Sequence, residues 1–427
     1  ASGASQTGFG RTGTVDWQTT KKTGDFTATN GEGYFVDTSS GGVTMTMPSG
    51  SAGAIVSIQD YNKTFDDNNF TVAPASGEII NGGNAGDSLV IKTEGQGLTF
   101  VYVDSTVGWK TVHENEFTAG GANYIVATGG TITTSGDCKI HTFTGPGTFT
   151  VSTAAVCAAN NVVSYMVVAG GGGGGGSVGN SANAGGGAGG FREDKSPVTP
   201  YTASPLDGAG AITVSAQGYP ITVGSGGTAG GSPASQPAPG GNGSPSTFST
   251  TTSTGGGGGA GVGGSPVAGN NGGSGGGSVY GASAGSGNTP PVSPSQGNNG
   301  GTGPSNPPSW GGGGGGGAGG VGGNASNPAA GVGGIGIGTA IAPASGTPGP
   351  SGSLKYFSGG GAGGNCNSAT RQPGGYGGGA DGGAYPLTSP VSLLNGTANT
   401  GGGAAGSAQS TAGVGGSGIV VIRYKFQ

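Results

Sequence analysis

The sequence predicts an all-β protein: an N-terminal β-sandwich module, then a second small β-platform module with a long glycine-rich insert forming a polyglycine-II-type helix bundle. Three observations carry this expectation. Short runs of β-branched and aromatic residues recur between turn clusters over residues 10–113, without a helical period. Glycine dominates from Gly170 to Gly416, with unbroken runs at Gly170–Gly176 and Gly311–Gly317. Two apolar, strand-like segments, Val162–Ala169 and Ile419–Tyr424, bracket that stretch. The implied division is 1–115 for the sandwich, 116–169 with 418–427 for the platform, and 170–417 for the insert.

In the first module the strand candidates are Phe26–Thr29, Tyr34–Val36, Val43–Met47, Ile55–Ile58, Phe70–Val72, Ser88–Ile91, Leu98–Val103 and Trp109–Val112. Val43-Thr-Met-Thr-Met47 alternates with period two, the pattern of a half-buried strand. Clusters such as Ser39–Gly42, Asp66–Asn69 and Asn81–Asn84 supply the turns. Eight short strands of this kind suit a small sandwich or jelly roll. Asp60, Asp66, Asp67, Asn68 and Asn69 offer oxygen ligands for calcium, but the EF-hand spacing with its Gly and Glu is missing. A solvated loop is the expected state, and no metal or cofactor is predicted.

The second module starts near Phe117. Tyr124–Val126, Cys138–Phe143 and Thr148–Val151 read as strands, with Gly145-Pro-Gly147 as a hairpin turn between the last two. Ser164–Ala169 and Gly418–Tyr424 follow, one on each side of the insert. Because the insert must leave and return at one place, these two strands are expected to pair and close its base. Cys138, Cys157 and Cys366 fit no zinc spacing; buried free thiols are the default, with a Cys138–Cys157 bridge as the alternative. His113 and His141 lack a nucleophile and an orienting acid at recognisable spacing, so both read as structural and no catalytic signature is found.

Glycine buries almost no apolar area and loses more backbone entropy on ordering than any other residue. An ordered insert must therefore be held by something other than side-chain packing. The polyproline-II helix makes no internal hydrogen bonds, and its N–H and C=O groups point sideways. Where there are no side chains, such helices approach closely enough to pair those groups with their neighbours. Each bond then contributes about 1 kcal/mol net. Collagen does not fit, since no strict glycine at every third residue persists and the prolines fall between runs. A calcium β-roll does not fit, since Asp381 alone lies within a glycine run. GxGxxG matches carry no weight in a chain with 110 glycines among 427 residues, and no Gly-Lys-Ser/Thr occurs.

Only 31 residues are charged, 21 of them before residue 150, and the net charge is −5. The absence of any Lys/Arg cluster argues against nucleic-acid binding. No apolar run approaches the ~20 residues that span a bilayer, so membrane insertion is not expected. No signal-peptide pattern opens the chain, and a first residue other than Met suggests trimming or an incomplete start. Arg192–Lys195 is the one dense charged patch of the insert; its alternating signs suggest a self-compensated exposed loop without a specific role.

The side-chain chemistry of the insert lies between its glycine runs: Tyr280, Trp310, Tyr356, Phe357, Tyr376 and Tyr385, set among Ser, Asn, Thr and Pro. Rings that stack, with amides and hydroxyls that orient, suit recognition of a saccharide or an outer-membrane protein. The alternative for each ring is that it covers glycine faces, caps a rod or packs on a neighbouring subunit.

Tyr165-Met-Val-Val-Ala-Gly-Gly-Gly, the glycine runs and the terminal Gly-Ser-Gly-Ile-Val-Val-Ile-Arg-Tyr together resemble the glycine-rich domain near the ends of bacteriophage tail-fibre and related virion proteins. Ile212–Val214, Tyr219–Gly224 and Gly243–Phe248 followed by Gly255–Gly259 extend the resemblance over residues 118–427. It implies a non-enzymatic virion fibre protein, a tail-fibre adhesin that attaches to a host-cell receptor through loops on a rigid glycine scaffold. It also implies a homotrimer, contacts with other virion proteins and an extracellular location on the particle. Three other readings stay open: a fibre decorating capsid or neck, a self-assembling extracellular filament or surface protein, and an ice-binding protein. The irregular glycine runs argue against the last.

Overall fold

A computed structural model of the chain describes residues 15–112, 124–176, 181–231, 239–262, 268–305, 311–326, 328–367, 369–385, 391–408 and 411–427. Strands account for nearly all of its regular structure, so the protein is all-β. It divides into two compact units, one formed by residues up to Tyr124 with 154–160, the other by 125–153 with Asn161–Gln427.

The first unit contains β1 (Asp16–Lys22), β2 (Phe26–Thr27), β3 (Glu32–Val36), β4 (Val43–Thr46), β5 (Ile55–Asp60), β6 (Phe70–Ala73), β7 (Leu89–Ile91), β8 (Gly97–Tyr102) and β9 (Trp109–Thr111). They form a five-stranded sheet, β1-β3-β5-β8-β9, and a four-stranded sheet, β2-β4-β6-β7. Val43 and Met45 of β4 point into the shared core and Thr44 and Thr46 away from it, as the period-two pattern requires. Tyr34, Val56, Ile58 and Phe100 from the first sheet meet Val43, Met45, Phe70 and Val72 from the second.

The pairing differs from an antiparallel jelly roll. β1–β3, β3–β5, β2–β4 and β4–β6 are all parallel. The chain winds, placing successive strands β1 to β6 alternately in the two sheets. Corners such as Gly31, at φ +90°, carry it from one sheet to the other. Antiparallel pairs, β5–β8, β8–β9 and β6–β7, finish the unit. The acidic stretch is divided. Buried Asp60 accepts the N–H groups of Thr64, Phe65 and Gly95 at 2.9–3.3 Å, while Asp66, Asp67 and Asn69 are exposed.

In the second unit the strands are β10 (Val126–Thr128), β11 (Thr131–Ser135), β12 (Cys138–Phe143), β13 (Gly147–Thr153), β14 (Val162–Val168), β15 (Phe191–Asp194), β16 (Ile212–Thr213), β17 (Gly218–Thr222), β18 (Ser246–Phe248), β19 (Thr251–Ser253), β20 (Ile337–Thr339), β21 (Lys355–Phe357) and β22 (Ile419–Lys425). The bracketing strands β14 and β22 pair antiparallel at the centre of the sheet β11-β12-β22-β14-β15. Both of their faces are covered, one by a core with Phe149, Tyr219 and Phe248, the other by a core with Phe191, Ile341 and Phe357. The expected hairpin at Gly145–Gly147 is not formed. β12 and β13 belong to different sheets, and the Gly-Pro-Gly segment is a corner between them. Gly-Pro-Gly chemistry marks a change of direction without saying whether the flanking strands pair.

Beyond the sheets, glycine segments run to and fro as a hydrogen-bonded lattice. In residues 169–176, Gly170 to Gly175 donate in turn to the carbonyls of Ser244, Gly416, Gly187, Gly241, Gly413 and Ala184, at 2.8–3.1 Å. The carbonyls of the same six residues accept from Gly256, Gly227, Ala404, Gly259, Gly230 and Ser407. Partners three residues apart lie on one neighbouring segment, a three-residue period such as a polyproline-II-type helix would give. An added Cβ at Gly171–Gly175 would sit 1.9–2.1 Å from a neighbouring carbonyl oxygen, so the absence of side chains is a packing requirement. On peripheral segments every third residue faces solvent: Ser283 and Ser286, Asn299 and Thr302, Val332 and Ile335.

Candidate functional site

Among the described residues, lattice segments such as 170–176, 181–190 and 358–366 run between the sheet end, where β14, β15, β21 and β22 adjoin the glycines, and an opposite, far end near Asn183 and Cys366. The candidate aromatic residues fall at both. At the sheet end, Gly336 N–H donates to the Tyr376 carbonyl at 2.8 Å, which brings Tyr376 beside β21. Its ring is 54% exposed and lies 6.3 Å from that of Tyr356 at a 55° tilt. Tyr356 is half-buried over Gly338 and Gly349, and its hydroxyl accepts the Ser351 N–H at 3.3 Å. Phe357 faces the other way and is fully buried with Met166, Val168, Phe191 and Val421. It is a core residue and leaves the set of receptor-contact candidates. Strand alternation explains the split, since neighbours on β21 point to opposite faces.

At the far end, Tyr280 and Tyr385 flank Cys366. The Tyr280 ring packs against Val279, Ala184 and Ala260. Burial raises its phenol pKa, opposed by a hydrogen bond with Ser181. Tyr385 donates its N–H to the Asn365 carbonyl at 3.0 Å, and its ring packs on Ala182, Cys366 and Ala408. Burial pushes the Cys366 thiol up to about 11. Buried Asn183 ties this end together: its Oδ1 accepts the Val262 N–H at 3.0 Å and its Nδ2 donates to the Ser407 carbonyl at 3.0 Å. Trp310 and His113 lie outside the described residues. Tyr280 and Tyr385 thus present partly exposed rings on fixed backbone, a surface suited to contact and stacking.

The charged patch requires a correction. Arg192, Glu193 and Asp194 are no exposed loop; they form β15 with Phe191, are at most 9% exposed and pair with β14. Arg192 donates to the carbonyls of Pro294 and Ser293. Glu193 accepts from the Thr339 hydroxyl at 2.6 Å and the Ser204 N–H at 2.9 Å, and Asp194 from the Gly210 N–H at 2.8 Å. Burial raises the pKa of both carboxyls and lowers that of Arg192. Alternating signs suggest mutual compensation, whereas these groups are satisfied largely by backbone and hydroxyls from loops distant in sequence. Phe191, placed directly after a glycine run, is the sequence signal that a strand begins there.

His141 is buried. Its Nδ1 pairs with the Gly129 carbonyl at 2.8 Å, its Nε2 with the Tyr424 hydroxyl at 3.1 Å, and burial lowers its pKa. Cys138 is buried, Cys157 is exposed, and neither is paired. Among the described residues no group of His, Cys, Asp or Glu could hold a metal ion, and no helix is long and apolar enough to cross a membrane. A comparison with curated proteins finds no similar sequence. A family model described as a glycine-rich domain matches residues 142–425, more than half of the chain and running from the last residues of β12 to the end of β22, and the chain therefore belongs to the glycine-rich domain family.

Proposed function

We propose that the protein is a non-enzymatic bacteriophage fibre protein, a tail-fibre adhesin that attaches to the host cell through residues displayed on a polyglycine-II scaffold. The observation that supports this reading most is the lattice itself. Its N–H and C=O groups are paired between segments, and it carries the chain repeatedly to a far end where Tyr280 and Tyr385 are held. A scaffold fixed by backbone hydrogen bonds loses little entropy when residues on it bind, so modest contacts suffice for attachment. In this reading the fibre is a homotrimer joined to other virion proteins, it works outside the cell as part of the particle, and its receptor is a surface saccharide or outer-membrane protein.

The test is saturable binding of the fluorescently labelled chain to intact candidate host cells, compared with a Tyr280→Ser, Tyr385→Ser variant. The wild type is expected to saturate. The variant, with an unchanged melting temperature, is expected to lose most binding. Equal binding by a folded variant would remove the far-end residues from the site; failure of the wild type on every candidate host would refute attachment.

A further inference from the structure

The N-terminal unit carries an aromatic surface that the glycine lattice does not account for. In β3, alternation buries Tyr34 and Val36 and leaves Phe35 half-exposed on the outer face of the five-stranded sheet. Trp17 from the edge strand β1 lies 5.0 Å from Phe35, ring centre to ring centre, at 33°. Tyr61, immediately after β5, lies 6.4 Å from Phe35 at 74°. Trp17 is 41% and Tyr61 52% exposed. Gly33 makes room for the indole: an added Cβ there would meet Trp17 Cδ2 at 2.8 Å.

A fixed polar rim borders the rings. Lys21 Nζ sits 4.9 Å from the Tyr61 ring centre and donates to Asp37 Oδ2 at 2.6 Å. Asn62 Nδ2 donates to the same oxygen at 3.0 Å. Asp37 itself is buried and also accepts the Ser39 N–H at 3.0 Å. A buried carboxylate therefore holds an ammonium and an amide in place beside an exposed phenol. Single exposed rings are ordinary, but three adjacent ones with a positioned rim are the arrangement of a binding surface. Lys21 and Asp37 cancel each other's charge, so the rim does not favour a polyanion.

We propose that this face binds a neutral polysaccharide. The C–H faces of its sugar rings would stack on Trp17, Phe35 and Tyr61. Its hydroxyls would hydrogen-bond to the remaining Lys21 protons and the Asn62 amide oxygen. The rings come from β1, β3 and the residue after β5, three neighbouring strands in order, so they spread across the sheet, which favours a chain over a monosaccharide. This site does not depend on the host-attachment reading.

Native electrophoresis of the full chain through gels containing hydroxyethylcellulose, soluble starch or purified bacterial O-polysaccharide tests the proposal. At least one of these is expected to retard the wild type. Tyr61→Ala and Trp17→Ala are expected to weaken that retardation about tenfold, and Trp17→Phe to preserve most of it. Tyr61 is exposed, so its substitution should leave the melting temperature unchanged and keeps the test valid if a Trp17 variant folds poorly. The proposal fails if no polysaccharide retards the wild type, or if the folded Tyr61→Ala variant is retarded equally. It also fails if sedimentation shows self-association that Tyr61→Ala abolishes, because the rings then serve contact between copies of the chain.

Discussion

Replacing Gly172 by Ala adds one methyl group to the interior of the glycine lattice. The new Cβ would lie 2.1 Å from the Gly257 carbonyl oxygen, where ordinary contact begins at 3.4 Å, so one of the two segments must retreat by about 1.3 Å, the difference. Gly257 is held on both sides: its carbonyl accepts the Gly187 N–H at 2.8 Å and its N–H donates to Ser274 at 2.9 Å. Gly172 is held equally, by Gly187 at 2.8 Å and Ala404 at 3.0 Å. A shift of that size removes about two hydrogen bonds, at about 1 kcal/mol each. Overpacking costs a further 1–3 kcal/mol or so. Reduced freedom of the unfolded chain returns about 0.4–1 kcal/mol. The net expectation is roughly 3–4 kcal/mol of destabilisation, or about 10 °C for a unit of this size. Differential scanning calorimetry of the full chain reads it directly. Ser286→Ala, on a solvent-facing position of a peripheral segment, is the control and should change stability by less than about 0.5 kcal/mol. A Gly172→Ala protein that melts with the wild type would refute the close-packed lattice.

Three further outcomes follow from the buried groups. Burial raises the folded-state pKa of Glu193, so its contribution to stability is present below the unfolded glutamate value of about 4.3 and is lost as pH rises through the folded value. Glu193→Gln should therefore gain stability relative to wild type between pH 4.5 and 8; a pH-independent difference in melting temperature would show that the carboxyl does not titrate in that range. His141 has the opposite dependence: its pKa is lowered, so the wild type should lose stability relative to His141→Gln as pH falls from 7 to 5, measured by the same melts. With dithionitrobenzoate, exposed Cys157 should react at once and Cys138 and Cys366 only after unfolding. Equal native rates for Cys157 and Cys366 would contradict the burial that pushes the latter's thiol up to about 11.

Many strand positions are legible because Val43–Met47 and the bracketing segments alternate or run apolar as half-buried and fully buried strands must, whereas β1 and β11, polar and without a clear apolar face, and β15, which reads as a charged loop, are not. Pairing of β14 with β22 followed from chain connectivity alone. Pairing direction in the N-terminal unit was not legible, because alternation specifies a face and says nothing about whether a neighbour runs parallel. The site was less legible than the fold. Tyr356 and Phe357 are adjacent in an apparent loop, yet a short β21 sends one toward the surface and the other into the core. Arg192–Asp194 reads as solvated in sequence and is buried because Thr339, Ser204, Gly210, Ser293 and Pro294 supply its partners. The Trp17–Phe35–Tyr61 surface is hidden in the same way: Phe35 reads as one residue of a strand, and the parallel winding of the chain brings it beside the other two.

The irregularity of the glycine runs has a physical meaning. A segment surrounded on all sides has no room for a Cβ, so interior segments such as 170–176 and 311–317 are unbroken glycine. A peripheral segment has one free direction, reached at every third residue. Side chains there fall at Asn299 and Thr302 or at Val332 and Ile335, where they face solvent. Losing a neighbouring segment also leaves N–H groups unpaired, and asparagines fill that role. Asn242 Oδ1 accepts the Gly258 N–H, Asn299 Oδ1 that of Gly287, Asn324 Oδ1 that of Thr302, and Asn395 Oδ1 that of Val414, at 2.8–2.9 Å. What looks in one dimension like an imperfect repeat is thus a record of which segments lie inside the lattice and which at its edge. Solvent-facing third positions without such a bond, Val332 and Ile335 among them, leave the lattice's hydrogen bonds to the backbone, so those side chains can vary while the scaffold stays fixed.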